Sequence, residues 1–469
     1  TAVSLYGLTF NRDGAFTLAA GDGVITNGAG GILAAAPNTT SRTYTLAEDV
    51  MLADNQTWTV TTNLPGATTL NVTGAIDDGF LPCNITKTEF GPLVLTASNA
   101  FDGAFTISQG DLRIYHSCSL GSTNGNTIIR GGSGGRLVLY GGVTLPEPLV
   151  LNGEWNNSGT LLVGSGSNVI SGPITCYNQV RIQGYNGPLV ITGGVTADNN
   201  GLFVVNSGST ITFSGKPLNL GSRTFWSDSG GISVLAVAGN TWADTLCAGG
   251  GIRCEVPDAL PAAAALHIGV WYSPSATLNL NGNDQTTSKL FVDTTVPGTR
   301  TITSVAPAVL TVNQGLGTNT LFDGKFIGAV SLLKLGAGTL TLTNAATSTM
   351  GGFVVSNGTL VVGSDGTFGP NSTNIVVGGT GTLTLSNSVS IANSATVKMP
   401  APGTSTAKIS LSAGVNESVG WLFYGNEMQR VGTYGSTSSG ANHKDDTHFS
   451  GTGVLRVLHD NSGTMISIL

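Results

Sequence analysis

Short runs of alternating apolar and polar residues, closed by glycine, asparagine or Ser-Gly, recur along this chain roughly every 18–25 residues. Gly338-Thr-Leu-Thr-Leu-Thr-Asn344, Gly381-Thr-Leu-Thr-Leu-Ser-Asn387 and Gly358-Thr-Leu-Val-Val-Gly363 show the pattern. Thr277-Leu-Asn-Leu-Asn-Gly282 and Gly159-Thr-Leu-Leu-Val-Gly164 repeat it. A period of two puts the leucines on one face of a strand and Thr, Asn or Ser on the other. The closing glycines and asparagines supply positive φ at corners. One such unit cannot bury its own apolar face, so it must stack on a neighbour. The pattern therefore predicts an all-β chain folded as a right-handed parallel β-solenoid (β-helix) with a terminal cap. A sandwich or barrel of the same strands fits less well, because no linker or shift in composition divides the chain. Residues 1–406 read as a continuous solenoid with repeat-like units near 86–114 and 333–363. Residues 407–469 read as a C-terminal capping region with the final strands. Leu340, Leu342, Leu360, Leu383 and Leu385 are expected to point inward and stack in ladders.

Composition narrows the function. Only 10% of the 469 residues are charged, against about 25% in an ordinary globular protein, while 40% are hydrophobic. The chain can bury a core, and it uses 68 glycines to turn its corners. The net charge is -7, without any cluster of Lys or Arg, so nucleic acid is not an expected partner. The longest apolar stretch, residues 260–272, contains Pro261, His267 and Gly269 and is too short for a spanning helix, so no membrane span is expected. Residue 1 opens on strand-like sequence, with no basic start or apolar signal core, so any export signal is expected to have been removed. None of the five cysteines forms a CxxC pair. Cys247 and Cys254 flank Ala-Gly-Gly-Gly-Ile-Arg, and either bridge as a disulfide across that flexible loop or serve as small core residues.

The string Leu333-Lys-Leu-Gly-Ala-Gly-Thr-Leu-Thr-Leu-Thr-Asn344, followed by Gly351-Gly-Phe-Val-Val-Ser-Asn-Gly-Thr-Leu-Val-Val362, resembles the autotransporter-associated β-strand repeat, also called the passenger-associated transport repeat. A second copy runs from Thr86-Lys87 through Gly91-Pro-Leu-Val-Leu95 to Gly110-Asp-Leu-Arg-Ile114. The copies align Lys87 with Lys334, Gly91 with Gly338 and Leu93 with Leu340, and their second halves slip by one residue. Gly7-Leu-Thr-Phe10, Gln56-Thr-Trp-Thr-Val60, residues 278–285, Gly432-Thr-Tyr-Gly435 and residues 449–457 are similar to sequence around such repeats. The resemblance implies an exported passenger with a β-helical fold, secreted or at the surface of a bacterium. No series of amphipathic barrel strands follows, so a processed passenger or a free secreted protein is expected.

Catalytic chemistry has little to stand on. Asp77-Asp78, Glu48-Asp49, Asp54, Asp111 and Asp445-Asp446 are the acids available to a glycosidase or lyase, and most sit beside Gly or Asn where turns place them. His443, Asp445, Asp446 and His448 are the densest group of metal-ligand types, and they read as a solvated loop before the last strand. No nucleophile elbow or phosphate loop is present. An enzyme is not expected, and neither is a cofactor or metal. Of the tryptophans at 58, 155, 226, 242, 271 and 421, Trp155 lies in the most polar surroundings and is expected to be exposed. The leading expectation is a structural surface protein, a filament subunit that self-associates head to tail into a homopolymer. Val3, Leu5, Leu8 and Phe10 at one end would meet Ile466, Ile468 and Leu469 at the other. The competing expectation is an adhesin that binds extracellular polysaccharide, or an enzyme that cleaves it, on the same scaffold.

Overall fold

The computed structural model of the protein describes residues 3–35, 40–63, 66–79, 81–154, 156, 159–198, 201–206, 208–228, 230–292, 295–343 and 351–461. Fifty-one strands and one 3-10 turn, Gly131–Ser133, make up its regular structure among those residues. The strands stack in parallel as a β-solenoid. The chain divides into two compact units, Thr1–Trp242 and Ala243–Leu469.

In the later coils of the first unit, each turn lays one strand on each of three sheets. Leu149–Asn152, Leu161–Val163 and Asn168–Ile170 form one coil. Ile174–Tyr177, Val180–Gln183 and Leu189–Ile191 form the next. Leu149 pairs with Ile174, Ile174 with Val195 and Val195 with Leu218, so these turns take 25, 21 and 23 residues. The register is what makes the core. Equal faces meet across each pairing, so inward residues form columns such as Phe203 on Phe225, their rings 6.1 Å apart. Trp242 stacks on Phe225 at 4.9 Å. Each such side chain contributes about 1.5–3 kcal/mol by leaving water.

The second unit narrows to two strands a turn in its later coils: Thr339–Leu342 with Gly352–Val355, Thr359–Val362 with Asn374–Val377, Thr382–Leu385 with Thr396–Met399. Loops fill the third side and send Phe368 and Ile391 into the core. The expected leucine ladders are present. Leu340 faces Leu360, Leu360 faces Leu383, and Leu383 faces Ile409, while Leu342, Val362, Leu385 and Leu411 make the parallel column. All five leucines named above are buried. Antiparallel pairing is local: Thr62–Asn63 pairs so with Gly66–Val72, Trp421–Tyr424 with Glu427–Met428, and Gly432–Gly435 with Val454–Val457.

Candidate functional sites: two lysine corners, a histidine bridge and a tryptophan groove

Lys87 lies in strand Ile85–Thr88 and Lys334 in strand Lys325–Leu335. Alternation puts Lys87 on the same face as Ile85, and Lys334 on the same face as Leu332. Both lysines therefore point inward and are fully buried. Each ammonium finds its acceptors at a corner. Lys87 Nζ donates to the carbonyls of Glu89 at 2.6 Å, Gln109 at 2.7 Å and Thr88 at 3.4 Å. Lys334 Nζ donates to those of Leu335 at 2.7 Å, Gly336 at 2.8 Å and Asn357 at 3.4 Å. In both, two acceptors belong to the lysine's own corner and the third to the start of the following coil. Burial pulls Lys87 down to about 7, opposed by the carboxylates of Asp111 and Glu89. Burial alone pulls Lys334 down to about 8. The facing corner needs glycine. Gly110 and Gly358 have φ of 69° and 66°, and a Cβ there would lie 2.7 Å from the Glu89 carbonyl and 2.3 Å from that of Gly336. These inward lysines were legible in the two-residue period and were not read from it.

The densest group of ligand types forms a bridge. His448 is buried, with Nδ1 2.6 Å from Asp445 Oδ2 and Nε2 2.9 Å from the Pro400 carbonyl oxygen. The ring thus links the Asp445 carboxylate to the backbone carbonyl of Pro400. Tyr424 stacks on the ring at 4.1 Å. Burial works against the Asp445 charge, but hydrogen bonds from His448 and Thr447 hold it below the usual range. Asp446 accepts from the Thr437 amide and hydroxyl, and His443 stacks on Tyr434 at 4.5 Å. Among the described residues, no three His, Cys, Asp or Glu gather around one point where a metal ion would sit.

The remaining acids organise turns. Asp78 Oδ2 accepts three backbone N–H bonds, from Cys83, Asp102 and Gly103. Asp77 accepts from Gly79, Asp49 from Ala75, Asp54 from Asn55, and Glu48 from Gly21. Asp111 pairs with Arg113 and Arg136 at 3.0 and 2.6 Å. Two acids not singled out in the sequence are buried instead. Glu147 and Glu417 are each pushed up to about 7 by burial, and at Glu417 the Ser390 and Ile391 amides, each donating at 3.0 Å, oppose the shift.

Cys247 and Cys254 are buried free thiols that end two successive strands, Asp244–Cys247 and Gly251–Cys254. Burial raises both, Cys247 to about 12, which suppresses thiolate chemistry. Of the residues named for self-association, Val3 is exposed, Leu5 and Leu8 are half-buried, and Phe10 packs into its own coil against Tyr44 at 5.5 Å. Ile466, Ile468, Leu469 and Trp155 lie outside the described residues. Among the described residues the exposed tryptophan is Trp271, 72% accessible, beside an open groove of about 1140 Å³ in the second unit. Its neighbours Gly269, Tyr272, Ser273 and Pro274 are a turn signal that marks it as outward-facing.

No curated protein and no solved structure matches this chain. The family model of the passenger-associated-transport-repeat matches residues 85–114 and 332–362. These are the two segments that carry the buried lysines, and the chain thus holds two passenger-associated transport repeats, each folded around a lysine-filled corner of a β-solenoid.

Proposed function

We propose that this chain is the exported, surface-displayed solenoid of a bacterial protein, structural rather than catalytic, whose copies join end to end. The two passenger-associated repeats support export and surface display. The observation that carries end-to-end joining is strand Val3–Phe10. Among the described residues it pairs on one side only, in parallel with Val24–Ala34. It has no charged side chain, and it presents Val3 at 48% and Tyr6 at 81% exposure. Such an edge offers a row of N–H and C=O groups that templates another strand. A head-to-tail contact is heterologous and propagates into a filament unless its geometry closes a ring. In this reading, residues 407–469 serve as the cap through which one copy meets the next.

Concentration-dependent sedimentation and negative-stain imaging test the joining. The wild-type chain should form linear assemblies, and Val3→Lys with Tyr6→Lys should abolish them while the β-type circular dichroism stays unchanged. A wild-type chain that stays monomeric at high concentration overturns end-to-end joining. Protease digestion of intact cells of the source bacterium checks display: the chain should be cut without lysis.

A further inference from the structure

We infer that the groove beside Trp271 is a binding site for an acidic polysaccharide, with the face of one sugar on the indole and a carboxylate near Lys289. This goes beyond the structural role proposed above and holds for a single copy or a filament alike.

The tryptophan is held out deliberately by the backbone. After strand Ala265–Ile268, Gly269 turns with φ of 82°, and Val270 and Ser273 exchange two backbone hydrogen bonds of 3.0 Å. Trp271 and Tyr272 occupy the tip of that tight turn. Their rings meet edge to face at 5.1 Å, and Tyr272 is 44% exposed. The indole, 72% accessible, lines one groove with Val296 and Leu321, 42% and 44% accessible, and it is such a shared exposed apolar surface, not a single exposed side chain, that marks a binding site.

The floor of the groove is mixed in the way a sugar chain requires. Phe291, Val296 and Leu321 supply apolar surface, and Thr318 and Asn319 supply hydroxyl and amide groups. The floor is fixed to the solenoid: Lys289 and Phe291 pair with Ala265 and His267, and the Val292 amide donates to the Leu321 carbonyl at 3.1 Å. A pyranose has an apolar C–H face and a rim of hydroxyls, which match an aromatic platform beside short polar side chains. The volume of about 1140 Å³ exceeds the range of about 300–1,000 Å³ usual for small-ligand clefts, which favours several units of a chain over one small molecule.

Charge selects the acidic class. Asp323 lines the groove, but both its carboxylate oxygens accept from Nη1 of the buried Arg300, at 2.9 and 2.7 Å. Lys289 is exposed and has no ion-pair partner among the described residues. On a chain of net charge -7, the groove's uncompensated charge is therefore positive. An anionic sugar is the complementary ligand.

Calorimetry and tryptophan fluorescence on the full chain test this with oligogalacturonate, alginate oligomers and hyaluronan oligomers, against cello-oligosaccharides as the neutral probe. At least one acidic oligomer should bind and perturb the fluorescence. Trp271→Ala should weaken that binding tenfold or more with an unchanged melting curve, and Trp271→Phe should recover part of it. Lys289→Gln should weaken it several-fold, flatten its salt dependence and bring it close to the neutral probe. Binding that survives Trp271→Ala, failure of all three acidic oligomers, or equal affinity for the neutral probe overturns the assignment. So does a change in oligomeric state in Trp271→Ala without sugar binding, which would make the groove a contact between copies.

Discussion

Residues 85–114 and 332–362 solve one problem with different parts. In both, a buried lysine closes a corner by donating to three carbonyls. In the first, the strong bonds reach across two coils, to Glu89 and Gln109, and carboxylates at positions 89 and 111 lie near the ammonium. In the second, the short bonds stay within the lysine's own corner, the cross-coil bond is 3.4 Å, and no carboxylate helps. The corner residue differs as well. Glu89 adopts φ of 64° with a side chain, whereas Gly336 adopts 71° in a place where a Cβ would lie 2.1 Å from the Gln314 carbonyl. The lesson is that the repeat's backbone path and its lysine are common, while the charge around the lysine and the room at the corner belong to each site.

The lysines give the largest test of that contrast. Lys87→Met keeps the stem but leaves carbonyls of two coils without a donor, so it should lower unfolding stability by about 2–4 kcal/mol. Lys334→Met loses mainly bonds within one corner and should lose less, about 1–3 kcal/mol. Urea midpoints of the two variants rank them, and equal losses would erase the distinction.

Next in size are the corner residues. Gly336→Ala forces both a disfavoured φ and a collision with backbone, and should lose about 2 kcal/mol or more. Glu89→Gly relieves the same φ where space already exists, and should be neutral or gain up to about 1 kcal/mol. A destabilised Glu89→Gly would show that the carboxylate near Lys87 outweighs the strain.

The pH dependence is smaller and separates the two lysines further. Their folded values, about 7 and about 8, lie below the ordinary 10.5, so the unfolded chain holds more protons through that interval. The stability each lysine supplies is thus complete above about pH 10.5 and is lost as pH falls through the folded value, at most about 1.4 kcal/mol per pH unit. Glu147 and Glu417 act in the opposite sense: raised to about 7, they favour folding below the usual carboxylate range and lose that advantage as pH rises through 7. Subtracting each Lys→Met variant from the wild type removes their share. Between pH 7 and 8 the difference for Lys87 should grow more steeply than that for Lys334.

The smallest test concerns Cys247 and Cys254. Thiol counting in denaturant should find all five cysteines if the chain is reduced throughout, as they stand in this structure, and three if the two have bridged.

Much of the fold was legible because its information is local. A two-residue period decides which face a side chain takes, so Leu340, Leu360 and Leu383 were placed in one ladder before any coil was seen. The same period implied that Lys87 and Lys334 point inward, but a charged residue is ordinarily assigned to solvent, and only the corner carbonyls make its burial tolerable. Phe10 shows the converse: it looked like part of an exposed edge, yet its partners Tyr44 and Phe16 come from later in the chain and cover it.

By itself, then, the sequence determined the strands, their faces, the parallel stacking that a lone unit requires, and the two passenger-associated repeats. Tertiary structure alone decided whether a coil carries three strands or two, which corner leaves room for Glu89, and why Trp58 is buried while Trp271 stands in solvent. The physical reason is the range of the interactions. Strand and face follow from each residue's immediate neighbours, whereas corner space, burial of a large ring and the company of an ammonium depend on the coil above and below, some twenty residues away along the chain.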